Sequence, residues 1–261
     1  MMDNAEAQIV STIGSNPQTE PLRLEDLENS IINADCMDIL RQLPDKCVDL
    51  VLTDPPYGID FLSNRTDHQR RIENDKYEDF SQLYPQWIAE FKRILTDTGC
   101  CCCCCGGGKT PVSQEFTLEA VKQGFNLIQT VIWDKCTIGL GWHYRPSYET
   151  IVVLSKSKDK YSWFTQRKDI SNIVKIPNII PQKGDHPTPK PVELMQHFID
   201  LHSKENDLVI DPFSGSGTTA IACHRLNRRF ICIEKDKEYW EASCKRLEDE
   251  RKQLSLFGGN E

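Results

Sequence analysis

Leu208-Val209-Ile210-Asp211-Pro212-Phe213-Ser214-Gly215-Ser216-Gly217-Thr218-Thr219 decides the architecture of this 261-residue chain. A short apolar run of strand composition enters a turn holding two glycines, and a helix is expected to start near Thr218. Strand, glycine turn and helix in that order let backbone approach a ligand closely while the helix N-terminus faces it. The next strand, Phe230 to Ile233, ends in Glu234, about twenty residues past the glycines, where a carboxylate can hydrogen-bond ribose hydroxyls. The glycine turn alone is a common pattern. With Glu234 at that spacing it implies an adenosine-containing cofactor.

Upstream, Val48-Asp49-Leu50-Val51 is a second strand-like run, followed by Leu52-Thr53-Asp54-Pro55-Pro56-Tyr57-Gly58. Open α/β sheets bind ligands at the carboxyl ends of their strands, and Asp54 to Tyr57 fall there. Two prolines fix φ and remove donors, leaving a rigid extended loop whose carbonyls can only accept. With a carboxylate before them and an aromatic ring after, they could hold an exocyclic amine and stack on its heterocycle. A plain turn with Tyr57 packed on the core would use the same four residues.

The remaining pattern alternates strand and helix, the signature of a parallel sheet. Ser30 to Asn33 reads as a strand and Cys36 to Leu43 as a helix capped by Asp35. A helix starting at Ser81 reaches about Leu95, and one capped by Thr110, with Pro111 at its first position, ends at Gly124. Strands follow at Phe125 to Trp133 and Thr150 to Leu154, then a helix through Leu194, Met195, Phe198 and Leu201. The last helix spans Lys237 to Lys252. Residues 1–28, polar and aperiodic, read as a flexible arm, and 58–80 as a mobile loop beside the site.

Of the 12 cysteines six are consecutive, Cys100 to Cys105, which is no disulfide framework and, with alternating faces, a poor metal cage. They read as a buried central strand, and no metal site is expected. Gly106-Gly107-Gly108-Lys109-Thr110 imitates the end of a phosphate loop, but Cys103 stands where that motif requires glycine. With 39% hydrophobic residues and no stretch of about 18 apolar residues, one large core, no membrane span and a cytoplasmic location are expected.

The net charge of −8 conceals an uneven distribution. Residues 1–54 carry three basic and eleven acidic side chains, whereas 155–190 carry eight basic against three acidic. Tyr161, Trp163 and Phe164 lie among these basic residues, a composition that suits either a phosphate-contacting face or a solvated loop.

Taken together, Asp54-Pro55-Pro56-Tyr57, His186-Pro187-Thr188-Pro189-Lys190-Pro191 and the Asp211 to Thr219 loop resemble, in order and spacing, the DNA amino-methyltransferases. They match the permuted group in which the catalytic segment precedes the cofactor segment, over about residues 30–250. The resemblance implies a Rossmann-like α/β fold: a mostly parallel seven-stranded sheet, helices on both faces, in circularly permuted order. The chain would begin at the third strand and end at the second, with the methyltransferase domain over 29–252. It implies S-adenosylmethionine as cofactor, held by Asp35, Thr188, Lys190, Asp211, Pro212, Phe213, Ser214, Gly215, Ser216, Gly217, Thr218, Thr219 and Glu234. Asp54, Pro55, Pro56 and Tyr57 would be catalytic. The segment 155–185 would recognise the target, with Arg65, Arg70, Arg71, Lys156, Lys158, Lys160, Arg167, Lys168 and Lys175 as DNA contacts.

The resemblance further implies a base flipped out of double-stranded DNA and direct transfer to its amine, with no catalytic cysteine. Asp before the prolines favours adenine N6 over cytosine N4, the alternative. A protein glutamine methyltransferase normally has Asn there and the cofactor loop first. A solitary enzyme, the modification subunit of a restriction system, and a monomer or homodimer all remain open, with bacterial, phage or prophage origin. Finally, Gln253-Leu254-Ser255-Leu256-Phe257, in the tail 253–261, resembles the peptide that binds the bacterial sliding clamp. A helix end folded back on its own domain is the plainer reading of that string.

Overall fold

The computed structural model describes residues 23–56, 62–63, 70–71, 77–106, 111–139, 143–179 and 189–257; of residues 62–63, 70–71, 77–80 and 254–257 only the backbone is described. The helices are α1 (Leu24–Leu27), α2 (Cys36–Leu40), α3 (Tyr77–Ile94), α4 (Val112–Lys122), α5 (Val192–His202), α6 (Thr218–Arg225) and α7 (Lys237–Phe257). The strands are β1 (Ser30–Asn33), β2 (Val48–Thr53), β3 (Leu62–Ser63), β4 (Arg70–Arg71), β5 (Leu95–Cys104), β6 (Asn126–Asp134), β7 (Tyr148–Ser155), β8 (Ile173–Lys175), β9 (Leu208–Asp211) and β10 (Arg229–Glu234).

The main sheet runs β1-β10-β9-β2-β5-β7-β6-β8, and only β7 is antiparallel to its neighbours. The seven strands expected from the resemblance are therefore eight among the described residues. The added edge strand is β8, from the basic segment, where β-branched Ile173 and Val174 pair with Ile132 and Trp133 of β6. β2 and β9 are direct parallel partners, Leu50 opposite Val209 and Val51 opposite Ile210. Two motifs some 150 residues apart thus share one edge, as the sequence reading required.

Side chains alternate across the sheet, so the cysteine strand feeds two cores. Cys101, Cys103 and Cys105 pack with Phe91 and Phe116 of α3 and α4, while Cys100, Cys102 and Cys104 pack with Phe198 and Ile199 of α5 and Ala220 of α6. This is the three-layer α/β arrangement with both sheet faces covered. Burial pushes the Cys100 thiol up to about 12 and raises the other thiols of the strand for which a shift is resolved, so these side chains act as small hydrophobes. β5 meets β2 through a bulge, Val48 opposite Leu95 but Leu50 opposite Cys100. Gly99 sits in it because a Cβ there would lie 2.8 Å from Leu95 and 3.1 Å from the Asp49 carbonyl.

Several expected boundaries shift. Leu27 is 1% exposed at the end of α1, so the arm cannot extend to residue 28; residues 1–22 lie outside the described residues. The expected 58–80 loop contains the β3–β4 ribbon and the first turn of α3. That helix begins a turn before Ser81, the expected start, and runs through Pro85. α4 starts at Val112 with Pro111 as its cap residue, whereas Thr110 lies outside the described residues. α7 continues through Gln253 to Phe257, since nothing before Gly258 breaks a helix. No helix among the described residues is long and apolar enough to cross a membrane.

Candidate active site

Four neighbouring parallel strands each deliver an acidic side chain to the carboxyl edge of the sheet. In spatial order these are Asp35 just past β1, Glu234 ending β10, Asp211 ending β9 and Asp54 just past β2. Asp35 caps α2 as expected, its Oδ1 accepting from Met37 N at 3.0 Å, and Lys235 Nζ lies 3.5 Å from its other oxygen. Glu234 braces the glycine turn: Oε2 accepts from Gly215 N (2.7 Å) and Oε1 from Asp236 N (2.8 Å). Burial raises the Glu234 carboxyl above its ordinary range, against these two donors.

The glycine turn is shaped by backbone that other residues resist. Gly215 and Gly217 have φ of 51° and 74°, and a Cβ on Gly217 would lie 2.9 Å from Ser243 Cβ in α7. Gly217 is also the N-cap of α6 and gives that helix no side-chain cap, leaving its first N–H groups facing the edge. Arg246 of α7 clamps the turn from outside, donating to Ser216 O (3.0 Å) and Thr218 Oγ1 (3.1 Å). Phe213 is held edge-on by Trp87 at 4.7 Å.

Asp211, expected in the cofactor loop, anchors that loop through its carboxylate. Oδ1 accepts from Thr53 Oγ1 (2.8 Å) and Phe213 N (3.1 Å), and Oδ2 from Thr219 Oγ1 (2.5 Å). Burial carries its pKa up to about 6, while Thr219, Thr53 and Phe213 pull it back by bonding the ionised form. Because Thr53 immediately precedes Asp54, this bond ties the glycine turn to the Asp54 segment.

Beyond Asp54 and Lys190, both expected at the site, runs a buried chain of charges whose further members, Glu149 and Lys135, sequence reasoning missed. Lys190, 6% exposed, pairs with Asp54 Oδ2, and its Nζ is 3.3 Å from Glu149 Oε2. Lys135 pairs with Glu149 Oε1. Burial alone would lower the Lys190 ammonium; Asp54 and Glu149 outweigh it and hold the group charged. Burial would likewise raise Glu149, yet Lys190 and Lys135 keep it below its ordinary range. The available signal was a carboxylate opening an otherwise apolar run, Thr150 to Leu154. Its destination depended on β7 being antiparallel, which brings the start of that strand to the carboxyl edge.

The expected DNA contacts divide. Lys156 is corrected: its Nζ donates to Leu95 O (2.5 Å) and Arg93 O (3.4 Å), and burial lowers its pKa, so it caps the end of α3. Its neighbours Lys158 and Lys160 lie between Lys156 N, bonded to Gly99 O, and Ser162 N, bonded to Thr98 O. That is the amino edge of the sheet, opposite Asp54. Arg167 is exposed and paired to Asp169 at 3.0 Å. Lys168 is exposed nearby, and Lys175, opposite Asp134 in β8, reaches the carboxyl edge. Arg70 and Arg71 form β4. Tyr57, Arg65 and Thr188 lie outside the described residues.

An adenosine-bearing methyl donor fits this edge. Two carboxylates stand on adjacent strand ends, a turn that side chains would obstruct lies beside them, and uncapped helix donors face the same edge. The DNA methylase family matches residues 48–245. The chain is 27% identical over 249 residues to the type II methyltransferase M2.MboI of Moraxella bovis, covering 86% of this chain and 89% of that protein. It is 28% identical over 257 residues to M.HinfI of Haemophilus influenzae, covering 87% and 70%. The crystal structure of an M1.HpyAVI–SAM complex superposes with a TM-score of 0.62 at 27% identity, over 84% of this chain and 98% of that one.

Proposed function

The chain belongs to the DNA methylase family, whose enzymes take their methyl group from S-adenosylmethionine, and from that premise we propose that it methylates adenine N6 at a specific site in double-stranded DNA. The observation that carries the reading is Asp54 at the end of β2, joined through Thr53 and Asp211 to the glycine turn of the adjacent strand. Methyl acceptor and donor would then meet over one strand boundary. Aspartate before the two prolines supports adenine over cytosine.

An exocyclic amine is a weak nucleophile because its lone pair is delocalised into the ring. Hydrogen bonds to the Asp54 carboxylate and the Pro55 carbonyl would favour a pyramidal nitrogen, with Tyr57 stacking on a base flipped from the duplex. When bound, S-adenosylmethionine supplies a methyl group on a sulfonium. Asp35 and Glu234 would take its adenosine end, and Thr188, Lys190 and the 212–219 turn the methionine end. Positioning does most of the work. Lys190, kept protonated between two carboxylates, cannot take the amine's surplus proton, which leaves Asp54 as the acceptor in reach among the described residues. Mass spectrometry of digested, treated DNA tests this: N6-methyldeoxyadenosine is expected, and N4-methyldeoxycytidine in its place overturns the adenine assignment.

The same reading makes Gln253 to Phe257 a clamp-binding peptide. These residues close α7, and a last helical turn frays at little cost, so docking in extended form is open to them. Deleting 253–261 should abolish pull-down by purified bacterial sliding clamp; unchanged capture removes the idea. Clamp binding would link methylation to replication, whereas the type II relatives support a restriction partner. Arg65, Arg70, Arg71, Arg167, Lys168 and Lys175 remain the DNA-contact candidates, and a bacterial DNA substrate would make the cytoplasm the enzyme's location.

A further inference from the structure

Lys190 occupies an oxygen that the proposed reaction needs. Its ammonium is on Asp54 Oδ2, where an incoming amine would donate. The Lys190 main chain is fixed, its carbonyl accepting from Thr218 Oγ1 at 3.2 Å. A buried ammonium displaced from Asp54 needs a second acceptor within a small swing of its side chain. Glu149 Oε2 is that acceptor: it is buried and already lies 3.3 Å from Nζ as the longer of the ammonium's two carboxylate contacts. Its other oxygen is anchored by Lys135, whose Nζ sits 5.3 Å from the centre of the Trp133 ring.

We propose that Glu149 is a positioning residue of the transfer site: held by Lys135, it takes over the Lys190 ammonium when the target amine claims the Asp54 oxygen. This rests on the reading of Asp54 as the amine acceptor. The exchange moves no proton and leaves Asp54, Lys190, Glu149 and Lys135 neutral as a set, which is what a poorly solvated site tolerates. Among the described residues the other titratable groups facing them are Asp211 from β9 and Cys104 from β5, the latter kept a neutral thiol by burial and by Asp54.

The two outer charges should act with opposite signs. In Glu149→Gln the ammonium loses the charged alternative that the described residues offer and stays on Asp54. Then kcat should fall roughly ten- to a hundred-fold, the scale of a lost supporting contact, with KM for S-adenosylmethionine within about threefold. The acid limb of the kcat/KM profile should move to lower pH. In Lys135→Gln, Glu149 is less compensated and draws Lys190 harder, so kcat should change by less than about threefold and the limb should move to higher pH. Both are measured on full-length protein with a DNA substrate, beside thermal melting. A folded Glu149→Gln enzyme with unchanged kcat and profile overturns the proposal, as do shifts of one sign in both variants. If Glu149→Gln does not fold, the direction of the Lys135→Gln shift decides alone. Wild-type enzyme that methylates no DNA would instead refute the function itself, so the two failures are distinguishable.

Discussion

Replacing Thr53 by valine removes one hydroxyl and nothing else of comparable size, which makes it a clean probe of the tie between the two halves of the site. Thr53 is 1% exposed and donates at 2.8 Å to Asp211, itself buried. A hydrogen bond to a buried charged group contributes about 1.5–3 kcal/mol. Asp211 has its pKa raised by burial to about 6 from an ordinary 3.8, so the folded state binds a proton more tightly than the unfolded state. Its contribution to stability is therefore greatest below pH 3.8 and is lost as pH rises through 6, by about 3 kcal/mol in all. Thr53 offsets part of that loss by stabilising the ionised form, so its removal should matter most where Asp211 is ionised. Thermal melting at pH 8 should show Thr53→Val lower by roughly 3–10 °C, and by clearly less at pH 5. Isothermal titration at pH 8 should show weaker S-adenosylmethionine binding, because the glycine turn loses an anchor to β2. A melting loss equal at both pH values, or none, would refute the assignment of this bond to the ionised carboxylate.

Other outcomes follow from the same geometry. Asp54→Asn should retain the fold, since Glu149 still faces Lys190, while methylation of DNA falls by roughly 10²–10⁴-fold, measured by radiolabelled methyl incorporation. Gly217→Ala places a Cβ against Ser243 at a φ of 74°, and should cost about 1–3 kcal/mol in denaturant melts, with loss of cofactor binding. His202 is buried, its Nδ1 2.8 Å from Ser162 O, and burial lowers its pKa to about 4. The unfolded chain binds the extra proton between pH 6.5 and 4, so His202 loses about 3 kcal/mol of stability as pH falls through that window. Asp211 runs the opposite way over nearly the same range. A His202→Leu variant that stays folded should therefore gain stability on acidification relative to wild type, read from melts at pH 4.5 and 7.

What local sequence could determine here was whatever depends on neighbours within about twenty residues. The strand ending in Asp211, the glycine turn, the helix at Thr218 and Glu234 on the next strand end form one continuous unit, and its pattern was legible. So was the cysteine run: alternation across a pleat puts Cys101 and Cys103 in one core and Cys100 and Cys102 in the other without reference to the rest of the chain. Asp54 was legible because a strand precedes it and two prolines set the backbone immediately after it.

Charged side chains outside such units were not, because their role depends on which end of the sheet their strand delivers them to. Lys156 and Lys175 read alike as basic residues in one segment; the first follows the far end of antiparallel β7 and caps α3, and the second ends β8 at the carboxyl edge. Glu149 meets Lys135 only because β6 and β7 run in opposite directions, and the same reversal brings it to Lys190. Sequence by itself set the elements, the order of the motifs and the residue types that could hold a nucleotide and an amine. The tertiary structure alone made Asp211 a tie to Thr53 and put the Lys190 ammonium between two carboxylates, because strand direction and burial determine which distant charges meet and whether they need a partner.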